Sequence, residues 1–451
     1  MGRLFGTDGV RGIANAELTP ELAFHLGQAG AKVLSKGSSE KRPVILIGKD
    51  TRISGDLLED ALSAGVLSMG GDVIKVGVIP TPGVAYLVRK LNADAGVVIS
   101  ASHNPFEYNG IKFFKGDGFK LDDDIEDEIE DLVLRGVDIN AGIMGAQLGR
   151  CLENAENALH LYCEFLKSTI DVSLEGMKLV IDCANGASYQ VAERVLRDLG
   201  AELTILANTP DGLNINTGCG STHPEHLQKK VTELGADLGL AFDGDADRLM
   251  AVDGNGRLID GDRLVYICAK MLKEEGALNG NRVTATVMSN IGFHKAVEAM
   301  GCTVDVTKVG DRYVLESMLK TGCVIGGEQS GHIIFLNHST TGDGVLSALQ
   351  LLRAIRKSGK TLCELADEIR IYPQVLKNAK VKNENKRKYE EDEEIKQEIE
   401  AVSKRMEGRG RVLIRPSGTE PLIRVMLEGE DTKEITKLAE GLATLLTKRL
   451  G

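Results

Sequence analysis

Four short segments of this chain carry side chains suited to phosphate chemistry. The first is Ser102-His103-Asn104-Pro105, which closes the apolar run 96–99. A serine hydroxyl there can carry a group covalently only if it is activated or already phosphorylated. His103, Lys112 and more distant groups could each help it. A Ser-capped Asn-Pro turn would use the same residues with no chemistry at all. The second segment is Asp243-Gly244-Asp245-Ala246-Asp247-Arg248, after the apolar run 238–242. Three carboxylates at alternate positions are hard oxygen ligands for Mg²⁺ or Ca²⁺. An EF-hand calcium loop fails here, because its sixth position is Arg248 rather than glycine and its twelfth is Gly254 rather than glutamate. A purely structural turn would crowd three like charges without compensation. The segment is therefore expected to bind a metal, with Mg²⁺ favoured because it pairs with phosphate oxygens through few carboxylates.

The third segment, Gly327-Glu328-Gln329-Ser330-Gly331-His332, sets polar side chains between glycines. Carboxylate, hydroxyl and imidazole suit a sugar, whose neighbouring hydroxyls both donate and accept; a glycine-rich loop without a ligand is the plain alternative. The fourth, Arg415-Pro416-Ser417-Gly418-Thr419-Glu420, offers a guanidinium, two hydroxyls and an open backbone, the parts of a phosphate cradle. Arg424, farther on, reads as a strand residue paired with an acidic neighbour. Near the N-terminus, Phe5-Gly-Thr-Asp8-Gly-Val-Arg11 and Gly48-Lys49-Asp50-Thr51-Arg52 add basic groups. Arg11 beside a phosphoserine would neutralise charge developing in phosphoryl transfer.

These segments need elements to hold them. Apolar, β-branched runs ending in small polar residues and glycine recur at 44–50, 97–100, 178–186, 238–243, 283–288 and 323–326. Amphipathic stretches such as 57–69, 192–199 and 262–275 lie between them. Continuous apolar strands alternating with helices predict parallel or mixed sheets covered on both faces. The expected fold is α/β: three similar domains over 1–150, 151–255 and 256–370, then a smaller α+β domain over 371–451. In that last domain a highly charged helix over 383–406 precedes strands 411–414 and 422–427 and a final helix from Thr432. The acidic block 117–131 reads as a solvated helix.

Composition narrows the partners. A formal net charge of −12 argues against non-specific nucleic-acid binding, which needs excess Lys and Arg, while leaving room for a small phosphate in a locally basic site. None of the eight cysteines forms a CxxC pair, so reduced thiols in a cytoplasmic protein are expected. No secretory leader and no membrane-spanning run is read.

With these residues assembled, the chain resembles the α-D-phosphohexomutase superfamily over essentially its whole length, with all four signature segments in order. The opening Phe5–Arg11 motif, Gln329, and Ser339-Thr-Thr-Gly-Asp-Gly344 resemble its glucosamine branch. The resemblance implies three α/β domains and a fourth smaller one around a central cleft. It makes Ser102 the phosphoserine that gives and recovers the phosphoryl group. Asp243, Asp245 and Asp247 would hold one Mg²⁺ with an oxygen of that phosphoserine. Arg11 and Lys112 would serve transfer and proton handling. Arg248, Glu328, Ser330 and His332 would contact the sugar, and Arg415, Ser417, Gly418 and Thr419 would bind the non-reacting phosphate. The implied activity is interconversion of glucosamine 6-phosphate and glucosamine 1-phosphate, feeding UDP-N-acetylglucosamine and cell-wall precursors. A hexosamine 1,6-bisphosphate would be both intermediate and priming agent. The rivals are the same chemistry on mannose or glucose phosphates, a Mg²⁺-dependent sugar phosphatase, and a non-catalytic sugar-phosphate sensor. A homodimer is usual in the family.

Overall fold

The structure, a computed structural model, describes residues 4–6, 8–34, 42–135, 142–417 and 420–451. It divides into two compact units, Met1–Met288 with Gly301–Asp367, and Ser289–Met300 with Glu368–Gly451.

In the larger unit one strand arrangement is built three times. A central strand (Val44–Lys49, Lys178–Asp182 or Arg282–Thr286) lies parallel to the next strand on one side: Asp72–Val78, Glu202–Leu206 or Thr303–Thr307. On its other side it lies parallel to the strand after that: Ala95–Ile99, Leu238–Phe242 or Ile325–Gly327. Each of these outer strands then takes an antiparallel partner, Tyr108–Lys115, Leu249–Asp253 or Ile333–Phe335. Parallel neighbours require crossovers, and amphipathic stretches supply them as helices such as Gly55–Ser68 and Ser188–Asp198. The mixed α/β sheets expected from the apolar runs are thus present, and the shared strand order shows a repeat that residue identity alone does not reveal.

Both faces of these sheets are covered. Every residue of Ala95–Ile99 and of Leu238–Phe242 is buried, which is why the runs read as continuously apolar. Ile47, Val97 and Ile99 are completely buried in one cluster with Leu58 and Leu62. Burial of one such side chain stabilises by roughly 1.5–3 kcal/mol. An Ile47→Ala cavity would cost about 2–5 kcal/mol. The consequence for function is positional: two of the fully buried strands are the ones that lead into Ser102 and into Asp243.

The smaller unit is α+β. Its antiparallel sheet runs Gln374–Lys380, Leu422–Gly429, Gly410–Pro416, and helices Glu393–Met406 and Thr432–Leu450 contribute to its core. The charged helix expected over 383–406 begins only after Asp392, whose side chain accepts a hydrogen bond from the Ile395 N–H. The preceding residues offer one apolar side chain, Tyr389, and so no stripe to bury; they form two short 3₁₀ turns. The strand Gln374–Lys380 was not expected. It is an edge strand whose residues are mostly exposed, and Lys377 and Lys380 mask its alternation. Segment Ser289–Met300, within the span assigned to the third domain, packs into this unit: Asn290 Nδ2 donates to the Tyr372 carbonyl (2.9 Å) and Ile291 N to Glu428 Oε2 (3.0 Å).

Candidate active site

Strand Ala95–Ile99 delivers Ser102 in a left-handed conformation, φ 51°, that residues with a side chain rarely adopt. Its backbone N–H donates to Ser100 Oγ at 3.0 Å, and its Oγ donates to Asp243 Oδ2 at 2.7 Å. His103 Nδ1 lies 3.3 Å from the same oxygen. Burial, then Arg248 and Arg11, lower the His103 pKa, so the ring is neutral at neutral pH.

Strand Leu238–Phe242 ends in the three aspartates. Each offers one carboxylate oxygen, and the three oxygens lie within 4.8 Å of one another. Asp245 Oδ2 accepts from Thr81 Oγ1 (2.7 Å) and Lys112 Nζ (3.0 Å), and Asp247 Oδ2 stands 3.4 Å from His332 Nδ1. Oδ1 of Asp245 and Oδ1 of Asp247 are buried without a hydrogen-bond partner among the described residues. Such orphaned oxygens are costly unless something binds them. Burial, then Asp247 and Asp245, push the Asp243 carboxyl well above the usual range. Crowded, buried, partly unsatisfied carboxylates fit a hard divalent cation of Mg²⁺ type.

A chain of alternating charges borders the triad. Lys112, 2% exposed, reaches Asp245 and Asp8 at 3.0 and 2.9 Å. Burial alone would lower its pKa, but Asp245 and Asp8 outweigh burial and raise it, so Lys112 is a cation. Asp8 also pairs with Arg11 and, at 2.7 Å, with Lys120, whose Nζ continues to Asp311 Oδ2 at 2.6 Å. Burial opposes ionisation of Asp8, yet Lys112, Lys120 and Arg11 together hold its carboxyl well below the usual range.

The third segment forms a tight turn after strand Ile325–Gly327, with the Gly331 N–H donating to the Glu328 carbonyl at 2.9 Å. Glu328 Oε1 accepts from Gly310 N at 3.0 Å, and Ser330 is half-buried. His332 is buried between Asp247 and Gly342, whose N–H donates to Nε2 at 3.1 Å. This bond leaves the ring hydrogen on Nδ1, facing Asp247. A Cβ at position 342 would lie 2.5 Å from the ring, so only glycine permits the approach. Burial disfavours a second proton on His332, but Asp247 and Asp311 outweigh it; that proton would have to displace the Gly342 N–H.

These groups open on a cavity of about 460 Å³ lined by Asp8, Arg11, His103, Asp247, Arg248, Asp311, Glu328 and His332, with backbone at Gly9 and Gly310. The structure therefore brings together Ser102, Arg11, Lys112, the three aspartates, Arg248, Glu328 and His332 from segments more than 200 residues apart. Asp8, Thr81, Lys120 and Asp311 were missed as site residues. Lys120 sits in the acidic block that reads as a solvated helix, but the helix is Asp123–Arg135 and Lys120 precedes it, turned inward.

The fourth segment belongs to the smaller unit. Arg415 lies next to the end of strand Gly410–Pro416, directly opposite Arg424. Like charges placed so are unfavourable unless an anion joins them. Arg424 pairs with Glu420 at 3.2 Å, whereas Arg415 has no side-chain ion pair among the described residues. Ser417 Oγ accepts from Glu420 N at 3.1 Å. Gly418 and Thr419 lie outside the described residues.

Buried serine, metal-type carboxylates and a cation-bordered cavity define a phosphoryl-transfer site on a three-times repeated α/β fold. Family models for phosphoglucomutase/phosphomannomutase match throughout: alpha/beta/alpha domain I over 2–138, domain II over 160–256, domain III over 260–372 and the C-terminal domain over 376–445. The chain belongs to this family and is a mutase. It is 58% identical to the phosphoglucosamine mutase of Alkaliphilus metalliredigens, over the whole of both chains. In fold it is similar to a phosphoglucomutase/phosphomannomutase family protein from Burkholderia thailandensis, with a TM-score of 0.81, 23% identity, and 99% and 97% of the two chains covered. It is also similar to the N-acetylphosphoglucosamine mutase of Aspergillus fumigatus solved with GlcNAc-6P and magnesium (TM-score 0.68, 18% identity, 99% and 95% covered). Among the described residues no helix is long and apolar enough to cross a membrane.

Proposed function

We infer that this site interconverts glucosamine 6-phosphate and glucosamine 1-phosphate through phospho-Ser102 and a hexosamine 1,6-bisphosphate. The observation that carries the mechanism is the 2.7 Å contact of Ser102 Oγ with Asp243 at the edge of the carboxylate cluster. The substrate follows from the full-length likeness to phosphoglucosamine mutases.

The sugar's free hydroxyl attacks phosphorus, the Oγ–P bond of phospho-Ser102 breaks, and Oγ recovers a proton. The product bisphosphate turns round, and Oγ then attacks the other phosphate in the reverse sense. Neutral His103 at 3.3 Å is the titratable ring nearest Oγ and suits proton movement there. Lys112, fixed as a cation by Asp245 and Asp8, and Arg11 stabilise charge on the transferring group rather than taking a proton. Mg²⁺ held by Asp243, Asp245 and Asp247 would offset charge on the transferring oxygens. Glu328, Ser330, His332 and Arg248 supply donors and acceptors for sugar hydroxyls. Arg415 and Ser417, with Gly418 and Thr419, hold the phosphate that is not reacting, and the opposed Arg415 and Arg424 support that role.

The test is ³¹P NMR with Mg²⁺ and a trace of hexose 1,6-bisphosphate, offering glucosamine 6-phosphate and mannose 6-phosphate separately. A 1-phosphate resonance growing faster from the glucosamine sugar is expected. Faster conversion of the mannose sugar would overturn the substrate, and release of inorganic phosphate alone would overturn the mutase mechanism.

A further inference from the structure

The Ser102 loop is fixed by more side chains than a capped turn requires, and two of them take no part in the chemistry above. Arg52 follows strand Val44–Lys49, and its side chain is fully buried. All five donors of its guanidinium are engaged. Nε donates to Asp50 Oδ2 at 2.9 Å. Nη1 donates to the carbonyls of Pro105 and, at 3.0 Å, Tyr108. Nη2 donates to the carbonyls of Ser102 and Asn104, each at 2.9 Å. Asp50 Oδ2 also accepts from Ser100 Oγ (2.6 Å), the oxygen that receives the Ser102 N–H.

From the second repeat, Asn216 reaches the same two carbonyls: Nδ2 donates to Ser102 O at 2.9 Å and to Asn104 O at 3.1 Å. Gly244, between two of the triad aspartates, closes the remaining side. A Cβ there would lie 2.5 Å from Ser102 O and 2.8 Å from Asn216 Nδ2. Arg52 alone would satisfy these carbonyls. A second donor on the same oxygen, from the repeat that carries Asp243, does something else: it fixes the serine relative to the aspartates.

We propose that Arg52 and Asn216 are positioning residues for phosphoryl transfer, clamping the Ser102 carbonyl so that Oγ is held toward Asp243 in both halves of the reaction. The proposal rests on the reading of Ser102 as the phosphoryl carrier. A left-handed serine peptide has other conformations open to it, and in-line transfer tolerates little misalignment of the oxygen. Neither clamp residue lines the sugar cavity. Loosening the clamp should therefore slow transfer while leaving sugar-phosphate binding intact, and should expose the phosphoserine to water.

The test uses the full-length protein with Asn216→Gly, Arg52→Lys and Ser102→Ala. Position 216 has φ 59°, so glycine keeps its backbone while removing only the clamp. Lysine retains the buried charge of Arg52 with three donors in place of five. Misplacement of this kind is expected to lower kcat about tenfold for Asn216→Gly and about a hundredfold for Arg52→Lys. KM and the thermal midpoint of Asn216→Gly should stay near wild type, and more ³²P-phosphoserine should be lost to water per turnover. Wild-type kcat in Asn216→Gly while Ser102→Ala is inactive would overturn the clamp alone. So would a fall in kcat accompanied by an equal loss of binding and of thermal stability, the mark of a purely structural role. Full turnover by Ser102→Ala would overturn the carrier reading itself.

Discussion

The transfer residues proposed in the larger unit and the two opposed arginines of the smaller one are held in opposite ways. In the larger, Ser102, Asp243, Asp245 and Lys112 are each at most 2% exposed, and each is fixed by at least one charged or hydroxyl-bearing partner. In the smaller, Arg415 is half-buried without an ion pair among the described residues, and the Arg424 side chain is 42% exposed on a simple antiparallel sheet. Burial strengthens every electrostatic interaction and leaves no tolerance for a missing partner; exposure weakens each contact and lets it be made and broken. A group whose phosphorus must be met in line needs the first arrangement. A phosphate that must be gripped, released and gripped again from the other end is served by the second.

The sharpest way to break this contrast is Ser102→Ala, expected to lower kcat by at least about 10³-fold with the fold intact, because groups that act as a unit fail together. Turnover within tenfold of wild type, measured by ³¹P NMR, would remove the carrier. Next comes the carboxylate cluster. Chelation of Mg²⁺, or Asp245→Asn, should lower kcat by about 10²–10³-fold while circular dichroism is unchanged. A chelated protein that kept its rate would show that the orphaned oxygens of Asp245 and Asp247 have another purpose. The smaller unit should respond differently: Arg415→Ala is expected to raise KM about tenfold with kcat within a few fold, the signature of binding shared by ground and transition states. A kcat effect as large as that of Asp245→Asn would erase the distinction between the units.

The smallest effect is on stability and pH. Asp343 caps helix Gly344–Ser358, is buried against the Tyr162 hydroxyl at 2.7 Å, and has its pKa pushed up by burial to about 6 from 3.8. The folded value lies above the unfolded one, so the folded state binds the extra proton. The cost of the buried charge is absent below about pH 4, grows as pH rises through this window, and is complete above about pH 6, reaching roughly 3 kcal/mol at most. Asp343→Asn preserves the cap and removes the charge. It should raise stability to urea at pH 8, by an amount no greater than that, and leave it unchanged at pH 4. Equal effects at both values would contradict this reading.

Much of the site was legible in sequence because its parts are local. A run of buried-type residues ending in Ser102 or in Asp243, Asp245 and Asp247 gives both strand and chemistry in one short window, and the sheets confirm the strands. What stayed hidden was made by distance. Lys120 among acids reads as solvated until Asp8 and Asp311, more than a hundred residues away on either side, enclose it. Thr81, the first residue of helix Thr81–Lys90, and Asn216 gain their roles only when two repeats meet, and Arg52 only when its strand end packs against the Ser102 loop of the same repeat. The strand Gln374–Lys380 was hidden for a different reason, since an edge strand with lysines carries little hydrophobic signal.

The most direct measurement is the fate of label from ³²P-hexose 1,6-bisphosphate. Incubated with the full-length protein and Mg²⁺, it should place phosphate on the peptide containing Ser102, and glucosamine 6-phosphate added afterwards should carry that label away as sugar bisphosphate. Label on another peptide, or label that leaves only as inorganic phosphate, would contradict the account.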